Sequence, residues 1–471
     1  MTPTLLWLRR ELRLRDNAAL LAALATGRPV LPVFIHDETT PGAWAPGGAS
    51  RWWLHHSLAS LAADLAARGA PLVLRRGPIA QELPRLMAET NAAEVHAGLP
   101  TEPWARDLTA RLARRLPLHL HRTTTLFTGD EIATQAGGPF GVFTPFARAC
   151  RARLEPAPPR AAPDRIPSPP APASDRLEDW GLLPARPDWA GGLRESWQPG
   201  EAGALRTASA FARSALSRYD LARDFPDRPG TSRLSPHLAW GEISPDEAWH
   251  LAAGAGDGKA VQTWQNELLW REFSAHLLWH NPTLPEAPLR PEYAAMPWRT
   301  DPAALAAWQR GQTGIPIVDA GMRQLWHTGW MHNRVRMIVA SVLAKHLLLP
   351  WQNGAAWFWD TLVDADLASN GAQWQWVAGC GADAAPYFRI FNPVLQGWKF
   401  DPEGGYVARW VPELARLPAK ERQAPWEAPE MLLRGAGVVL GRSYPRPIVD
   451  LAEGRARALA ALETVTAARR G

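Results

Sequence analysis

The sequence predicts an N-terminal α/β domain built on a doubly wound parallel sheet, then a long linker, then an all-α domain. Three observations carry that expectation. Short apolar runs alternate with helical patterns over the first third of the chain, as in a parallel sheet covered by helices on both faces. Eight prolines crowd "RARLEPAPPRAAPDRIPSPPAP", residues 151–172, which reads as an extended linker. Beyond about residue 200 strand signals fade and long amphipathic helices with Trp and Leu faces take over. The boundaries expected are 1–127 for the α/β domain, 128–198 for the linker and 199–471 for the helical domain.

The strands are expected at "TLLWL", "VLPVFI", "PLVLRR", "AEVHAG" and "LHLHRTTTLF", with helices such as "SRWWLHHSLASLAADLAARG" between them. No Gly-x-Gly-x-x-Gly follows the first strand, so the dinucleotide fingerprint that often accompanies such a sheet is missing. Further on, "GTSRLSPHLAWGEISP" (230–245) sets hydroxyls and an arginine before a helix start, with Ser235 as N-cap and Pro236 in the first turn. Thr231, Ser232 and Ser235 could offer hydroxyls and amides to a phosphate there, though a plain helix cap explains them equally simply.

"WQNELLWREFSAHLLW" (264–279) reads as a helix with Glu267, Trp270, Arg271 and Ser274 on one face. An exposed Glu267–Arg271 pair would add only about 0.2–0.5 kcal/mol to such a helix, and it leaves Trp270 unexplained on a solvated stripe. "MHNRVRMIVASVLAKHLL", from Met331, is a second helix with Asn333, Arg336 and Met337 on one face and His332 as a structural histidine. In "DADLASNGAQWQW" (364–376), Asp366, Asn370 and Trp374 are four apart and form one ridge if the helix is continuous. Trp376 then points about 200° away from Trp374, and Asn370-Gly371 is a place where the helix could break.

Composition narrows the function classes. The 471 residues are 46% hydrophobic and 21% charged, a globular balance that suits two or three domains. Two cysteines without metal-like spacing argue against a disulfide scaffold, a zinc site or an iron–sulfur cluster, and fit a reducing cytoplasm; no metal is expected. The N-terminus becomes charged after one short apolar run, unlike a secretory signal, and "MIVASVLAKHLLLPW" is too short and too interrupted to span a membrane. A net charge of +5 permits a polyanionic partner. Tryptophan supplies 25 of the aromatic residues against 5 tyrosines, an excess that invites base stacking, flavin packing or electron transfer beside ordinary core packing.

Taken together with "GCGADAAPYFRIFNPVLQGWKFD" (379–401), these motifs resemble the photolyase/cryptochrome family, in particular class I cyclobutane pyrimidine dimer photolyases. The likeness runs to about residue 450 and is strongest over 219–400. It implies FAD in the helical domain, held by Tyr219, Thr231, Ser232, Arg233, Leu234, Ser235, Trp264, Glu267, Arg271, Asn333, Arg336, Asp364, Asp366 and Asn370. Asn370 matches the residue facing flavin N5, where an amide hydrogen-bonds without adding charge. Trp374, Trp351 and Trp298 match an electron-transfer chain that photoreduces the flavin. Glu267 with Trp270, Asn333, Met337 and Trp376 match contacts to the lesion, and Arg223 and Arg334 are candidate contacts to phosphate or lesion.

The implied activity is light-dependent repair of pyrimidine dimers in DNA, by a soluble monomer. A cryptochrome-like blue-light photoreceptor is the alternative; the short Ala/Arg-rich helix before Gly471 leaves little room for a signalling tail, and Asn333 with Met337 departs from the histidine pair of (6-4) repair enzymes. Relatives hold a folate (methenyltetrahydrofolate) or a deazaflavin (8-hydroxy-5-deazaflavin) on the N-terminal domain. "GLPTEPWARD" (98–107), with Glu102, resembles a pterin-binding region, while "SRWWLHHSL" (50–58) reads as well as helix packing.

Overall fold

The structure is a computed structural model and describes residues 2–154, 158–252, 258–383 and 388–470. The chain divides into two compact units. The first contains Met1–Ser217, Ser232–Pro282 and Val363–Ser369; the second contains Arg218–Thr231, Thr283–Leu362 and Asn370–Gly471. These units cut the chain along other lines than the expected domain segments, because the helical half contributes to both.

The first unit is built on the expected sheet. Strands β1 (Thr4–Leu8), β2 (Val30–His36), β3 (Val73–Arg76), β4 (Glu94–Gly98) and β5 (Leu118–His121) are all parallel in the order β3-β2-β1-β4-β5. Every residue of β1 and β2 is buried, which is why they read as unbroken apolar runs rather than alternating ones. Leu5, Trp7, Val33, Val73 and Val95 meet Ile79, Leu83 and Leu86 in one buried core. Those three belong to the helix Ile79–Thr90, and Leu108 and Leu112 of Pro103–Ala113 join the same core. The helix Ala18–Ala25 packs on β1, β4 and β5, so helices cover the sheet on both sides. β5 is an edge strand and stays half exposed.

The proline-rich stretch is extended, as its composition predicts, but it is tied down. Asp16 N donates to Arg160 O at 2.8 Å, Val30 N to Pro167 O at 2.7 Å and Ile166 N to Arg68 O at 2.9 Å. Proline cannot donate, so its carbonyls and the few intervening amides carry these bonds. The wider 128–198 span also contains helices Phe143–Arg153 and Gly191–Ser196.

The second unit is helical. Helix Asn333–Ser341 continues into a π-helical turn at Val342–His346, followed by Trp351–Thr361, the later turns of Leu367–Ala378, and Leu451–Arg470. Trp308, Ile338, Val339, Leu343 and Trp351 are among its buried residues. Buried Asp319 accepts from Thr313 N, Thr313 Oγ1, Gly314 N and Tyr444 Oη at 2.6–3.0 Å, so a loop and the distant Tyr444 are anchored on one carboxylate. Among the described residues no helix is long and apolar enough to cross a membrane.

Candidate functional site

In the first unit, helix Lys259–His280 buries Trp264, Leu268, Phe273 and Leu277, and keeps Glu267, Trp270 and Arg271 half-buried beside them. That stripe is therefore not a solvated face. Trp264 packs on Phe211 at 4.8 Å and donates its indole N–H to Ala248 O at 3.3 Å. Trp270 lies flat on Phe143, with ring centroids 3.6 Å apart and planes 5° from parallel. Arg271 donates to Thr124 O at 2.6 Å and Leu238 O at 3.4 Å, and its guanidinium lies 3.6 Å from Glu272. Burial pushes the Glu272 carboxyl up to about 7, against the pull of Arg271 and backbone donors.

The hydroxyl-rich loop is held from behind. Ser232 Oγ accepts from Leu234 N at 3.3 Å, Arg233 adopts a left-handed φ of 54° with its guanidinium over Trp197, and Leu234 is fully buried. Helix Ser235–Ala239 is capped by Leu234, so Ser235 is its first residue and not the N-cap expected from the Ser-Pro pair. Two residues that sequence reasoning missed secure this loop. His237 Nδ1 and Glu242 Oε2 lie 2.5 Å apart in full burial, and Glu242 also accepts from Trp53 Nε1 at 3.0 Å and Gly200 N at 2.7 Å. Their spacing in "HLAWGE" carries no motif; only the fold joins them to Trp53. Asp364 is buried, and Asp366 accepts from Ser369 N at 2.8 Å, capping the next helix.

The first unit also encloses a cavity with about 1140 Å³ of empty space, part of it open to solvent. Trp44, Glu102, Trp104, Trp240, Arg271 and Asp366 are among the residues that line it. Arg10 lies 4.6 Å over the Trp240 ring and 3.6 Å from Glu102. The "GLPTEPWARD" segment lines this cavity from Gly98 to Glu102 and at Trp104 and Ala105, whereas Trp52 and Trp53 of "SRWWLHHSL" are core.

In the second unit, Tyr219 is buried with Arg223 5.4 Å over its ring, and Thr231 is half-buried. His332 caps the following helix by accepting from Arg334 N at 3.2 Å, and burial pushes its imidazole down to about 4, which bears out a structural histidine. Asn333 is exposed at the helix start. Arg334 donates to Asp224 at 2.8 Å, reaches Met337 Sδ at 3.8 Å and covers Phe400, while Arg336 donates to Met331 O at 2.8 Å.

Helix Leu367–Ala378 runs unbroken through Asn370-Gly371, so Asn370 and Trp374 share one ridge, whereas Asp366 precedes the helix and caps it instead of joining that ridge. Gly371 is accommodated because a Cβ there would stand 3.3 Å from Leu284 O. Asn370 Nδ2 donates to Ala355 O at 3.0 Å, leaving its Oδ1 for another donor. Trp374 is 3% exposed, edge-on to Phe358 at 5.1 Å and to Trp308 at 6.2 Å, and its indole N–H has no partner among the described residues. A Cβ on Gly354 would fall 2.1 Å from the Trp374 ring, so Trp374 rests on the stripe of Trp351–Thr361 that Trp351 begins. Trp351 is fully buried, and Trp298 and Trp376 are half-buried. Within the 379–401 motif, residues 384–387 lie outside the described residues.

Comparison with known proteins agrees with this arrangement. Residues 4–167 match the family DNA photolyase, and residues 264–464 match the FAD binding domain of DNA photolyase, which makes FAD the cofactor of this chain. A deoxyribodipyrimidine photo-lyase of Agrobacterium fabrum is 48% identical over 98% of both chains. Cryptochrome-1 of Arabidopsis thaliana is 36% identical over 96% of this chain and 69% of its own. Among solved structures, a bacterial class III photolyase from Agrobacterium tumefaciens aligns with a TM-score of 0.95 at 48% identity over 99% of this chain and 98% of its own. An archaeal photolyase from Sulfolobus tokodaii, described with two FAD molecules, aligns at 0.81 and 27% identity over 98% of this chain and all of its own. The expected class I assignment is not confirmed, since the neighbour at 48% identity is of class III. Sheet, FAD-type helical half and near end-to-end identity converge on one conclusion: the chain belongs to the photolyase/cryptochrome family.

Proposed function

We propose that this chain is a DNA-repair photolyase that splits cyclobutane pyrimidine dimers under blue light. FAD, when bound in its reduced form, would supply the light-driven electron transfer needed to open the cyclobutane ring, which is chemistry of the cofactor rather than of a side chain. The residues present suit that group. Asn370, with Nδ2 committed to Ala355 O, keeps an uncharged acceptor free for an N–H donor such as a reduced flavin carries at N5.

The residues proposed for the cofactor are Tyr219, Thr231, Ser232, Arg233, Leu234, Ser235, Trp264, Glu267, Arg271, Asn333, Arg336, Asp364, Asp366 and Asn370. Trp270 and Trp376 offer half-buried indole faces suited to a dimer of adjacent pyrimidines turned out of the duplex, with Glu267, Asn333 and Met337 for base edges and Arg223 and Arg334 for phosphate or lesion. Trp374, Trp351 and Trp298 relay an electron in photoreduction, separate from repair. A light-harvesting pigment with a flat ring system, a folate or a flavin or deazaflavin, occupies the first unit's cavity against Trp104 and Trp240.

The observation that carries the reading is the unbroken helix Leu367–Ala378, which directs Asn370 and Trp374 one way and Trp376 the other. Two free, buried cysteines, Cys150 and Cys380, suit a reducing cytoplasm. The test is incubation of dimer-containing DNA with the reduced protein under blue light, against a dark control. Loss of dimers only in the light is expected. Persistent dimers despite bound reduced flavin would transfer the chain to the photoreceptor reading that its similarity to cryptochromes offers.

A further inference from the structure

We propose that Glu94, His96 and His119 form a binding site for a divalent transition-metal ion of the Zn²⁺ class, at the β4–β5 margin of the sheet. The site is independent of the flavin and of the reaction proposed above.

The strands bring the ligands together. Parallel pairing sets His96 of β4 directly beside His119 of β5. Side chains alternate along a strand, so Glu94 and His96 share a face with His119 and His121. One ligand atom from each of Glu94, His96 and His119 lies within 4.8 Å of the others. Glu94 Oε2 stands 3.2 Å from His119 Nε2 and 3.9 Å from His96 Nε2. Tetrahedral ligands about 2.0–2.1 Å from a zinc ion sit roughly 3.3–3.4 Å from one another, so small side-chain rotations complete the geometry.

Each ligand is already aimed. The other Glu94 oxygen, Oε1, lies 3.4 Å from Thr4 Oγ1 and 3.9 Å from Arg28 Nε, which turns Oε2 towards the histidines. His96 Nδ1 lies 2.9 Å from His121 Nε2, with the two rings stacked at 5.1 Å and 7°. When Nδ1 donates to His121, Nε2 of His96 carries the lone pair, the arrangement in which a second imidazole orients a metal ligand.

One detail separates a metal site from a simple ion pair. A Glu94–His119 pair accounts for those two residues, yet it leaves Nε2 of His96 buried with no hydrogen-bond partner. His96 is only 6% exposed, and buried polar atoms are rarely left unpartnered.

Two imidazoles and one carboxylate select Zn²⁺, Co²⁺ or Ni²⁺ over Mg²⁺ or Ca²⁺, which take oxygen ligands. His119 is half exposed, so the fourth position faces water. Bound metal cross-links the edge strand β5 to β4 and stabilises the folded chain by binding only that state.

The test uses the full-length, tag-free flavoprotein, stripped with chelator, desalted and titrated with Zn²⁺ by calorimetry and with Co²⁺ by visible absorption. One tight equivalent is expected for each metal. His119→Ala and Glu94→Gln, at positions exposed enough to leave folding intact, should each weaken it by at least about 10-fold, and His121→Phe, which keeps the stacked ring but removes the acceptor, by about 10–100-fold. Unchanged flavin absorption in the variants reports an intact fold. Absence of a stoichiometric equivalent, or an equivalent that survives both His119→Ala and Glu94→Gln, overturns the proposal.

Discussion

Two tryptophan pairs, one in each unit, show how position rather than residue type separates packing from exposure. Trp52 and Trp53 are adjacent in helix Gly48–Ala66 and are 1% and 0% exposed. They lie about 100° apart, and that whole arc faces the interior. Trp374 and Trp376 are two apart in Leu367–Ala378, about 200° apart, and only Trp374 is buried while Trp376 stays half open. Trp53 is bound into the structure through Glu242. Trp374 is packed by the Phe358 and Trp308 rings and against Gly354, and its N–H has no partner among the described residues. An apolar, ring-lined surrounding suits a group that exchanges an electron, whereas a buried carboxylate partner suits one that fixes a loop.

That contrast can be broken at several points. Trp374→Phe should abolish light-driven reduction of the bound flavin, read as bleaching of its absorption, while chemically reduced protein still repairs dimers; loss of both would merge the two roles. Trp53→Ala should cost about 3–5 kcal/mol of stability in thermal or denaturant unfolding, from the cavity it leaves and the donor it takes from Glu242. Photoreduction by the surviving folded fraction should be unaltered.

Trp376→Ala should weaken affinity for dimer-containing DNA by about 5–150-fold, the loss of one stacking face of about 1–3 kcal/mol, without changing unfolding. A stability loss as large as that of Trp53→Ala would show Trp376 to be core. Gly354→Ala should cost about 1–3 kcal/mol, because its Cβ meets the Trp374 ring, and should shift the photoreduction rate with it.

A last effect is a slope with pH rather than a single difference. Glu272 is buried with its carboxyl raised from 4.5 to about 7, so the folded state holds a proton that the unfolded state releases. The contribution is fully present below pH 4.5 and is lost as pH rises through about 7, at no more than about 1.4 kcal/mol per pH unit. Glu272→Gln should flatten that decline in melting temperature, and an unchanged slope would show that Glu272 is ionised in the folded protein.

Much of the sheet was legible because strands buried on both faces carry uninterrupted apolar runs; "TLLWL" and "VLPVFI" need no partner to be recognised. The helix at 364–376 was legible in its spacing, but its continuity through Asn370-Gly371 was not. A local turn signal competes there with tertiary packing against Leu284. The Ser235 cap was misplaced by one residue, because buried Leu234 sets where the helix begins. The linker's extension was readable from proline content, whereas its attachment depends on backbone partners such as Val30 N and Arg68 O that carry no sequence mark.

By itself the sequence determined the strand runs, the helical stripes and the family, since each is written in residues close together along the chain. Tertiary structure alone decided the His237–Glu242–Trp53 cluster, the ring cage of Trp374 and the meeting of Glu94 and His96 with His119. Local periodicity records which face of an element is apolar, but not which distant element will cover it. Such contacts form only when burial of those faces brings remote segments together, and polar groups trapped there must then find one another.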